Sequence, residues 1–438
     1  MSVKLFAYHN GNNGVSHYRV WQPMKYLARI DGFEVKRLPN RTERIQWQGL
    51  TGPCNVPGIG SHSEITENAD VIFSNYRPLL EDRVRLICQA KLKPLILDID
   101  DDILNIDKSN PNYAAWHGLD GRKDIVMEIP EGKEADSFWV EKSAKNGARI
   151  VQNEKDGKWY LVQPMVPIME NVIEQIKAAH LVTTTNERLK SLYSRFNKNI
   201  VVIPNGIDFE AFESMPVRND DGTVRFGLFG SNSHYPDWRE CVESMAKILQ
   251  DFPQARLVIN SWMLAEAKQG AALTEMERKH QFPDYFSEYG LLDNEQVEIH
   301  EPCEIQHYHK WLQDKKIDVG LAPLKNTIFN RSKSNLRYLE FSAMRVPGIY
   351  SEAEPFECVK HGMTGFIAGN PAEWYKAMKE LITNADGRRV MGNRAWLDVK
   401  NRYDQEIISA KLGAEIKKLL EASDEEKILA RTGLVAGR

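Results

Sequence analysis

The stretch IDVGLAPLKNTIFNRSKSNLRYLEFSAMRVPGIYSEAEPF, residues 317–356, decides the fold. Ile317 to Leu321 is an apolar strand that runs into a polar loop. The loop opens into an amphipathic helix expected over Lys333 to Met344. After Val346-Pro347 a second short strand ends at Tyr350. Strand, loop, helix and strand in this order are the unit of a parallel sheet. The loop brings Asn330, Arg331, Ser332, Lys333, Ser334 and Asn335 to a helix N-terminus, where free N–H groups and the helix dipole favour an anion and Lys333 adds a full charge. Glu340 lies about two turns further along, on nearly the same side as Lys333 and beside the seam of Leu336, Leu339 and Ala343. A carboxylate beside a buried seam needs a polar partner. A ligand hydroxyl would serve, and so would Arg337 in a structural ion pair.

Outward from this stretch the strand–helix alternation continues in both directions. In the first half, strands are expected at Val3–Tyr8, Phe33–Leu38, Asp70–Ser74, Pro94–Leu97, Leu181–Thr184 and Ile200–Ile203. Helices are expected through Trp21 and Leu27, at Glu81–Ala90, Met169–Ala179 and Asn186–Phe196. After the turn-rich Arg218–Gly222 the alternation restarts, with strands at Val224–Phe229, Arg256–Ile259 and Val297–His300 and helices at Arg239–Gln250 and His307–Gln313. The tail reads as helix over Pro371–Leu381 and Asp404–Leu420. Short, continuously apolar strands alternating with helices predict doubly wound parallel sheets of the α/β class, here in two Rossmann-like domains. The expected division is 1–205, with an insertion at about 105–166, then 206–400, and a helical tail at 401–438 that packs back toward the first domain. Within the insertion, ARIVQNEKDGKWYLVQ (148–163) reads as a hairpin turning at Asp156-Gly157.

Composition sets outer bounds. The chain has 438 residues, enough for two ordinary cores, and 57 basic against 61 acidic residues, a formal net charge of −4. There is no global basic signature for nucleic acid. No apolar run approaches the length of a membrane span, and MSVKLFAYHN turns polar too early for a secretory leader. The five cysteines are scattered without CxxC spacing. They read as reduced thiols rather than a disulfide framework or zinc site, and the expected location is cytoplasmic.

Several further loops carry chemistry-bearing residues. HNGNNGVSHYR (9–19) follows the first strand, and its glycines permit close backbone approach to a ligand. GNNG is not the dinucleotide fingerprint GxGxxG. The acidic run in LDIDDDI (97–103) sets Asp98, Asp100, Asp101 and Asp102 directly after a strand. Such a cluster must be solvated, hydrogen-bonded or bound to a cation. Acceptor binding or helix capping is the preferred reading of Asp100, Asp101 and Asp102, and no metal site is assigned. His117 sits in the next loop, NPNYAAWHG. VVIPNGID (201–208) ends a strand in a bend. GSNSHYPDW (230–238) is the first strand–helix loop of the second half, with Gly230 and Ser231 leading it.

Taken together, residues 317–356, VVIPNGID, the restart at Gly230 and HGMTGFIAGNPAEW (361–374) resemble retaining GT-B-fold glycosyltransferases, the group-1 (family 4-like) set that includes sucrose and lipopolysaccharide transferases. That family carries Glu-x7-Glu. Glu340 matches the second Glu, and the first position holds Ser332, a departure from the family pattern. The resemblance implies a GT-B architecture and a nucleotide-sugar donor such as a UDP- or GDP-sugar, with no other cofactor. It implies donor contacts at Gly14, Arg19, Gly230, Ser231, Asn330, Arg331, Ser332, Lys333, Ser334, Asn335 and Glu340, and catalytic roles for Lys333, Glu340 and His117. It further implies transfer to a hydroxyl acceptor with retention, by a front-face mechanism in which the leaving phosphate helps take the acceptor proton. The expected acceptor is a saccharide or lipid-linked glycan. A phage-type alternative is DNA carrying hydroxymethylated pyrimidines, for which Arg122, Lys123, Lys142, Lys145, Arg149, Lys155 and Lys158, interleaved with Trp139, Trp159 and Tyr160, would form the surface. A third alternative is a binding module without chemistry.

Overall fold

The computed structural model describes residues 2–9, 13–38, 68–76, 86, 90–108, 113–117, 125–130, 149–153, 157–163, 167–212, 221–261, 264 and 284–432. Most of the expected helix Glu81–Ala90, Gly11 and most of the basic insertion residues lie outside this set.

Two six-stranded parallel sheets organise the chain. The first comprises β1 (Val3–Tyr8), β2 (Phe33–Leu38), β3 (Val71–Asn75), β4 (Leu95–Asp98), β8 (Leu181–Thr184) and β9 (Ile200–Val202), in the order β2-β1-β3-β4-β8-β9. The second comprises β10 (Val224–Leu228), β11 (Ala255–Asn260), β12 (Val297–His300), β13 (Val319–Ala322), β14 (Gly348–Ser351) and β15 (Phe366–Ala368), in the order β12-β11-β10-β13-β14-β15. This is the α/β class read from the sequence. Every residue of β3, β4, β8 and β13 is buried, as strands covered on both faces must be. In the second sheet the strand order reverses between β10 and β13, and in the first between β1 and β3. Loops leaving the C-terminal ends of strands at such reversals part and leave a crevice.

Helices cover the sheets. The first loop enters α1 (Gly14–Ser16), passes through a π-helical turn, His17–Trp21, and continues as α2 (Gln22–Leu27). Next come α3 (Ile168–Ala178) and α4 (Glu187–Tyr193), then α5 (Tyr235–Asp251), α6 (Tyr308–Asp314) and α7 (Leu336–Ala343). α8 (Pro371–Thr383), α9 (Ala385–Tyr403) and α10 (Gln405–Thr432) complete the chain. α7 presses on β13 through Gly320, where a Cβ would sit 2.2 Å from the Phe341 ring. α10 returns to the first half and buries Ile408, Leu412 and Ile416 beside Leu5, Val20, Met24 and Leu27. The chain therefore crosses between the halves twice, side by side. Ile207 N–H donates to Tyr403 O at 2.8 Å, and Gln405 N–H donates to Ile207 O at 2.9 Å.

Four expectations need revision. The helix after the 317–356 loop begins at Leu336, not Lys333. The Thr327 hydroxyl accepts from Asn330 N–H and starts a separate helical turn, Ile328–Arg331, after which Ser332 to Asn335 form a linker before the helix. α5 starts four residues earlier than expected, because Tyr235-Pro236 can open a helix with proline in its first turn. α9 was not expected at all. Charged residues surround it, and only Met391, Gly392, Ala395 and Val399 are buried, so its helical periodicity is faint. The hairpin β6 (Arg149–Gln152) and β7 (Trp159–Gln163) gains a third strand, β5 (Ile125–Glu128), along β7. Among the described residues no helix is long and apolar enough to cross a membrane.

Candidate functional site

A cavity of about 820 Å³ lies between the two halves, at the C-terminal ends of both sheets. Its lining includes Gly14 and Arg19 from the first loop, Asp100 and Asp101 after β4, and Asn205 at the crossing. From the second half come Gly230 and Ser231 after β10, Ala322-Pro323-Leu324 after β13, and Lys333, Ser334, Arg337 and Glu340. Its size suits a ligand of a few rings.

The π-helical turn sets the first wall. An extra residue in the turn widens it. Tyr18 and Arg19 are both buried there but leave in different directions. Tyr18 reaches across the cleft, where its hydroxyl donates to Glu340 Oε1 at 2.7 Å and lies 3.1 Å from His309 Nε2. Arg19 turns down to the floor. Its Nη2 meets Asp98 Oδ1 at 2.6 Å, its Nε donates to the same carboxylate, and its Nη1 donates to Ile203 O and Asn205 Oδ1. Asp98 is fully buried and also accepts from Asn75 Nδ2 and Thr183 Oγ1. Arg19 therefore holds the floor together while it lines the cavity.

Glu340 is 1% exposed, and its second oxygen accepts from Arg337 Nη1 at 2.6 Å. Arg337 in turn donates to the Tyr308 hydroxyl. Both the ion pair and the cavity position are thus present. A carboxylate has about four acceptor sites, so two remain for a ligand hydroxyl. Burial, followed by the Glu340 carboxylate, keeps the Tyr18 phenol protonated.

Lys333 and Ser334 occupy the linker that enters α7. Lys333 Nζ lies 3.1 Å from Asp101 Oδ1, and the Ser334 hydroxyl accepts from Asn205 Nδ2 at 3.0 Å. Burial works against the Lys333 charge, but Asp101 outweighs it and holds the ammonium's pKa above its usual value. Across the cleft, Gly230 N–H donates to Asn260 Oδ1 at 2.9 Å, and His234 is bound to Asp237. A Cβ at Gly230 would crowd the His234 side chain at 3.1–3.3 Å.

Four carboxylates and three cations meet around this cavity. Asp98 pairs with Arg19, Asp101 with Lys333 and Glu340 with Arg337. Asp100 is left over, and its Oδ1 is buried without a hydrogen-bond partner. Burial first, then the neighbouring Asp101 and Asp98 charges, push its carboxyl up to about 7, with Arg19 and Lys333 opposing.

The structure thus brings Gly14, Arg19, Asp100, Asp101, Gly230, Ser231, Lys333, Ser334 and Glu340 to one cavity. Other expected residues stand behind it. Asn330 is fixed by Asp237, Arg331 by Asn326, and Ser332 is buried and accepts from Arg188 Nε. Asn335 leans on Cys358. Asp102 is 2% exposed and accepts from Leu104 and Asn105 N–H in a turn, with no helix starting there among the described residues. His117 stacks on Tyr113 at 4.1 Å, with Nδ1 on Tyr113 O, and does not line the cavity. Sequence reasoning missed Tyr18, Asn205, Asn260 and Tyr308 as parts of the site. Asn205 and Asn260 were signalled by position alone, at or just beyond the C-terminal ends of strands, and Tyr18 in the π-helical turn and Tyr308 at the start of α6 carried no local signal. A second cavity of about 540 Å³ opens near Tyr26, Phe209 and Trp396. Its Arg29 pairs with Glu210 and its Lys400 with Asp404, which leaves it little to bind with.

No family model matches the chain, and no curated protein sequence matches it. Solved structures do. Anabaena HepE in complex with UDP-glucose superposes with a TM-score of 0.55 at 11% identity, covering 95% of this chain and 99% of that one. A glycosyltransferase from Rickettsia africae gives 0.56 at 11%, covering 96% and 99%. Sucrose-phosphate synthase from Thermosynechococcus elongatus gives 0.53 at 14%, covering 96% and 100%. At such identities the likeness establishes the fold: two Rossmann-like domains in the GT-B arrangement.

Proposed function

We propose that this protein is a glycosyltransferase that moves a sugar from a nucleotide-sugar, such as a UDP- or GDP-sugar, to a hydroxyl acceptor with retention, needing no other cofactor. The observation that carries the reading is the convergence of Lys333, Ser334, the mouth of α7 and Glu340 in one cavity facing the Gly14 loop. The donor diphosphate lies against Lys333 and Ser334. As the glycosidic bond breaks, charge grows on the departing diphosphate, and the ammonium and the helix N-terminus stabilise it more than they do the ground state. Glu340, oriented by Tyr18 and Arg337, accepts from the ribose hydroxyls. That HepE holds UDP-glucose makes UDP-sugars the first donors to try.

The acceptor we favour is a saccharide or lipid-linked glycan. For the DNA reading, Lys158 is the sole member of the basic set whose side chain is described, and it is paired with Glu128 at 2.7 Å.

A thermal-shift screen of nucleotides and nucleotide-sugars tests the donor site. A ligand at 100 times its Kd adds about 2.7 kcal/mol to stability. A shift with one nucleotide-sugar in the wild type, weakened in Glu340→Gln and Lys333→Ala, is the expected outcome. Absence of any shift across UDP-, GDP- and ADP-sugars would show that the cavity is not a donor site.

A further inference from the structure

We propose that Asn186 and Arg188, at the start of α4, are positioning residues for the donor: they brace the linker that carries Lys333 and Ser334, so that the diphosphate site of the second half is held in shape by the first. The inference rests on the donor reading above. It concerns two residues that do not line the cavity.

The linker needs holding. Ser332 to Asn335 lie between the helical turn Ile328–Arg331 and α7 and belong to neither. Their own half takes up the N–H groups at the start of the linker, Ser332 donating to Phe329 O and Lys333 to Asn330 O. Asn335, next to α7, makes no side-chain cap bond. The carbonyls are met from the first half. Asn186 Nδ2 donates to Ser332 O at 2.8 Å and reaches Lys333 O at 3.4 Å. Arg188 Nε donates to the Ser332 hydroxyl at 3.1 Å, and its Nη1 pairs with Glu354 of the second half, also at 3.1 Å. The Ser332 hydroxyl donates on to Asp102 Oδ2 at 3.3 Å. Ser332 is 1% exposed, so these groups meet away from water, where backbone polar atoms need partners.

Two local features aim the brace. Asn186 is the N-cap of α4, and its Oδ1 accepts from Leu189 N–H at 3.0 Å, which turns Nδ2 toward the linker. One side chain thus starts a helix in one half and grips a loop of the other. Ser332 stands where the family pattern has Glu. A carboxylate there would press on the buried Asp102 carboxylate, and like charges that close repel. The small hydroxyl instead bridges Arg188 and Asp102. With the linker fixed in advance, Lys333 and the N–H groups at the mouth of α7 face the cavity before a diphosphate arrives, and binding need not order the linker. If the cleft opens, the brace leaves with the first half. Donor affinity therefore belongs to the closed arrangement, and by reciprocity a bound diphosphate favours closure.

The probes for the test are UDP, GDP and ADP, which carry a diphosphate without a sugar, and the readout is the dissociation constant from titration calorimetry. Asn186→Ser keeps a capping oxygen for α4 but is too short to reach Ser332 O. Arg188→Met keeps the stem without the hydrogen bonds. Each should weaken binding of the nucleotide that the wild type takes by about fivefold, the value of roughly one net hydrogen bond. Hydrogen exchange at peptides covering 332–338 should quicken in both variants and return to the wild-type rate at saturating nucleotide. Ser332→Ala should weaken binding by a similar factor, and Arg188→Met/Ser332→Ala should bind no more weakly than Arg188→Met, because the two groups act through one contact. Residues that merely stabilise the fold would lower Tm and leave the dissociation constant where it was. A wild-type dissociation constant in either Asn186→Ser or Arg188→Met overturns the proposal. So does a double-variant loss equal to the product of the single losses, which would make Arg188 a distant charge rather than a brace. A wild type that binds none of the three nucleotides removes the donor reading itself, and this inference with it.

Discussion

Replacing Arg19 by Met should destabilise the first half of the molecule far more than an ordinary charge deletion. The guanidinium is 3% exposed and its partner Asp98 is fully buried. The substitution keeps the stem but removes contacts to Asp98, to Ile203 O and to Asn205. Asn75 and Thr183 still hydrogen-bond Asp98, but among the described residues no other cation pairs with it. Breaking one side of a buried ion pair costs about 3–5 kcal/mol, because the surviving charge stays desolvated. That is two to three and a half powers of ten in the unfolding equilibrium, at roughly 1.4 kcal/mol per decade. With an m-value of about 2 kcal/mol per molar urea, the midpoint should fall by about 1.5–2.5 M. Because the chain has two sheets, whole-molecule unfolding need not be two-state. The appropriate assay is urea-dependent hydrogen exchange followed at peptides from β1, β4 and β8. The double variant Arg19→Met/Asp98→Asn, with no buried charge left unpaired, should regain most of the loss. A single variant that loses less than about 1 kcal/mol, or a double variant worse than the sum of the singles, would refute the buried-pair reasoning.

Two further outcomes are expected. Gly392→Ala should lower Tm by more than about 4 °C, since the new Cβ would sit 2.0 Å from the Arg345 carbonyl oxygen and backbone cannot swing aside; an unchanged melting curve would count against the contact between α9 and the end of α7. Burial pushes His17 down to about 4 and His309 down to about 3, the latter helped by its neighbour His17. In the unfolded chain both titrate near 6.5 and bind protons first, so stability should fall as pH drops from about 6.5 toward 4. Asp100 contributes with the opposite sign over about pH 4 to 7, because its folded pKa is raised. The histidine slope is therefore cleanest in Asp100→Asn, and a flat profile between pH 6.5 and 5 there would contradict the burial of the two rings.

The parts of this molecule that could be read in its sequence are those set by local periodicity. A continuous apolar run such as Pro94–Leu97 announces a two-faced parallel sheet, and Asn370-Pro371 with Glu373 spells a helix start that the structure uses, Asn370 accepting from Glu373 N–H. The parts that could not be read are set by contacts distant in sequence. Tyr18 and Glu340 are 322 positions apart, and Arg19 and Asp98 are 79 apart. No spacing rule links them, and the π-helical turn that aims Tyr18 and Arg19 in different directions leaves no mark in composition. The same distance explains why Asp98 was not expected as the partner of Arg19. Its partner could be found only by folding β4 next to β3 and β8. His117 carries the reverse lesson: a histidine in a promising loop is satisfied by its own helical turn.

The paired crossings at Ile207 and at Tyr403–Gln405 have a mechanical consequence. One tether would let the two bodies swivel in any direction, whereas two tethers bonded side by side behave like the knuckles of a door, leaving rotation mainly about the line that joins them. They also decide how the gene can be divided. A fragment cut after β9 lacks Ile408, Leu412 and Ile416, which seal the face of β1 and α2. It should be insoluble alone and recover when a peptide spanning 405–432 is supplied. The first body is thus sewn from both ends of the chain, and the second is held between its own two seams.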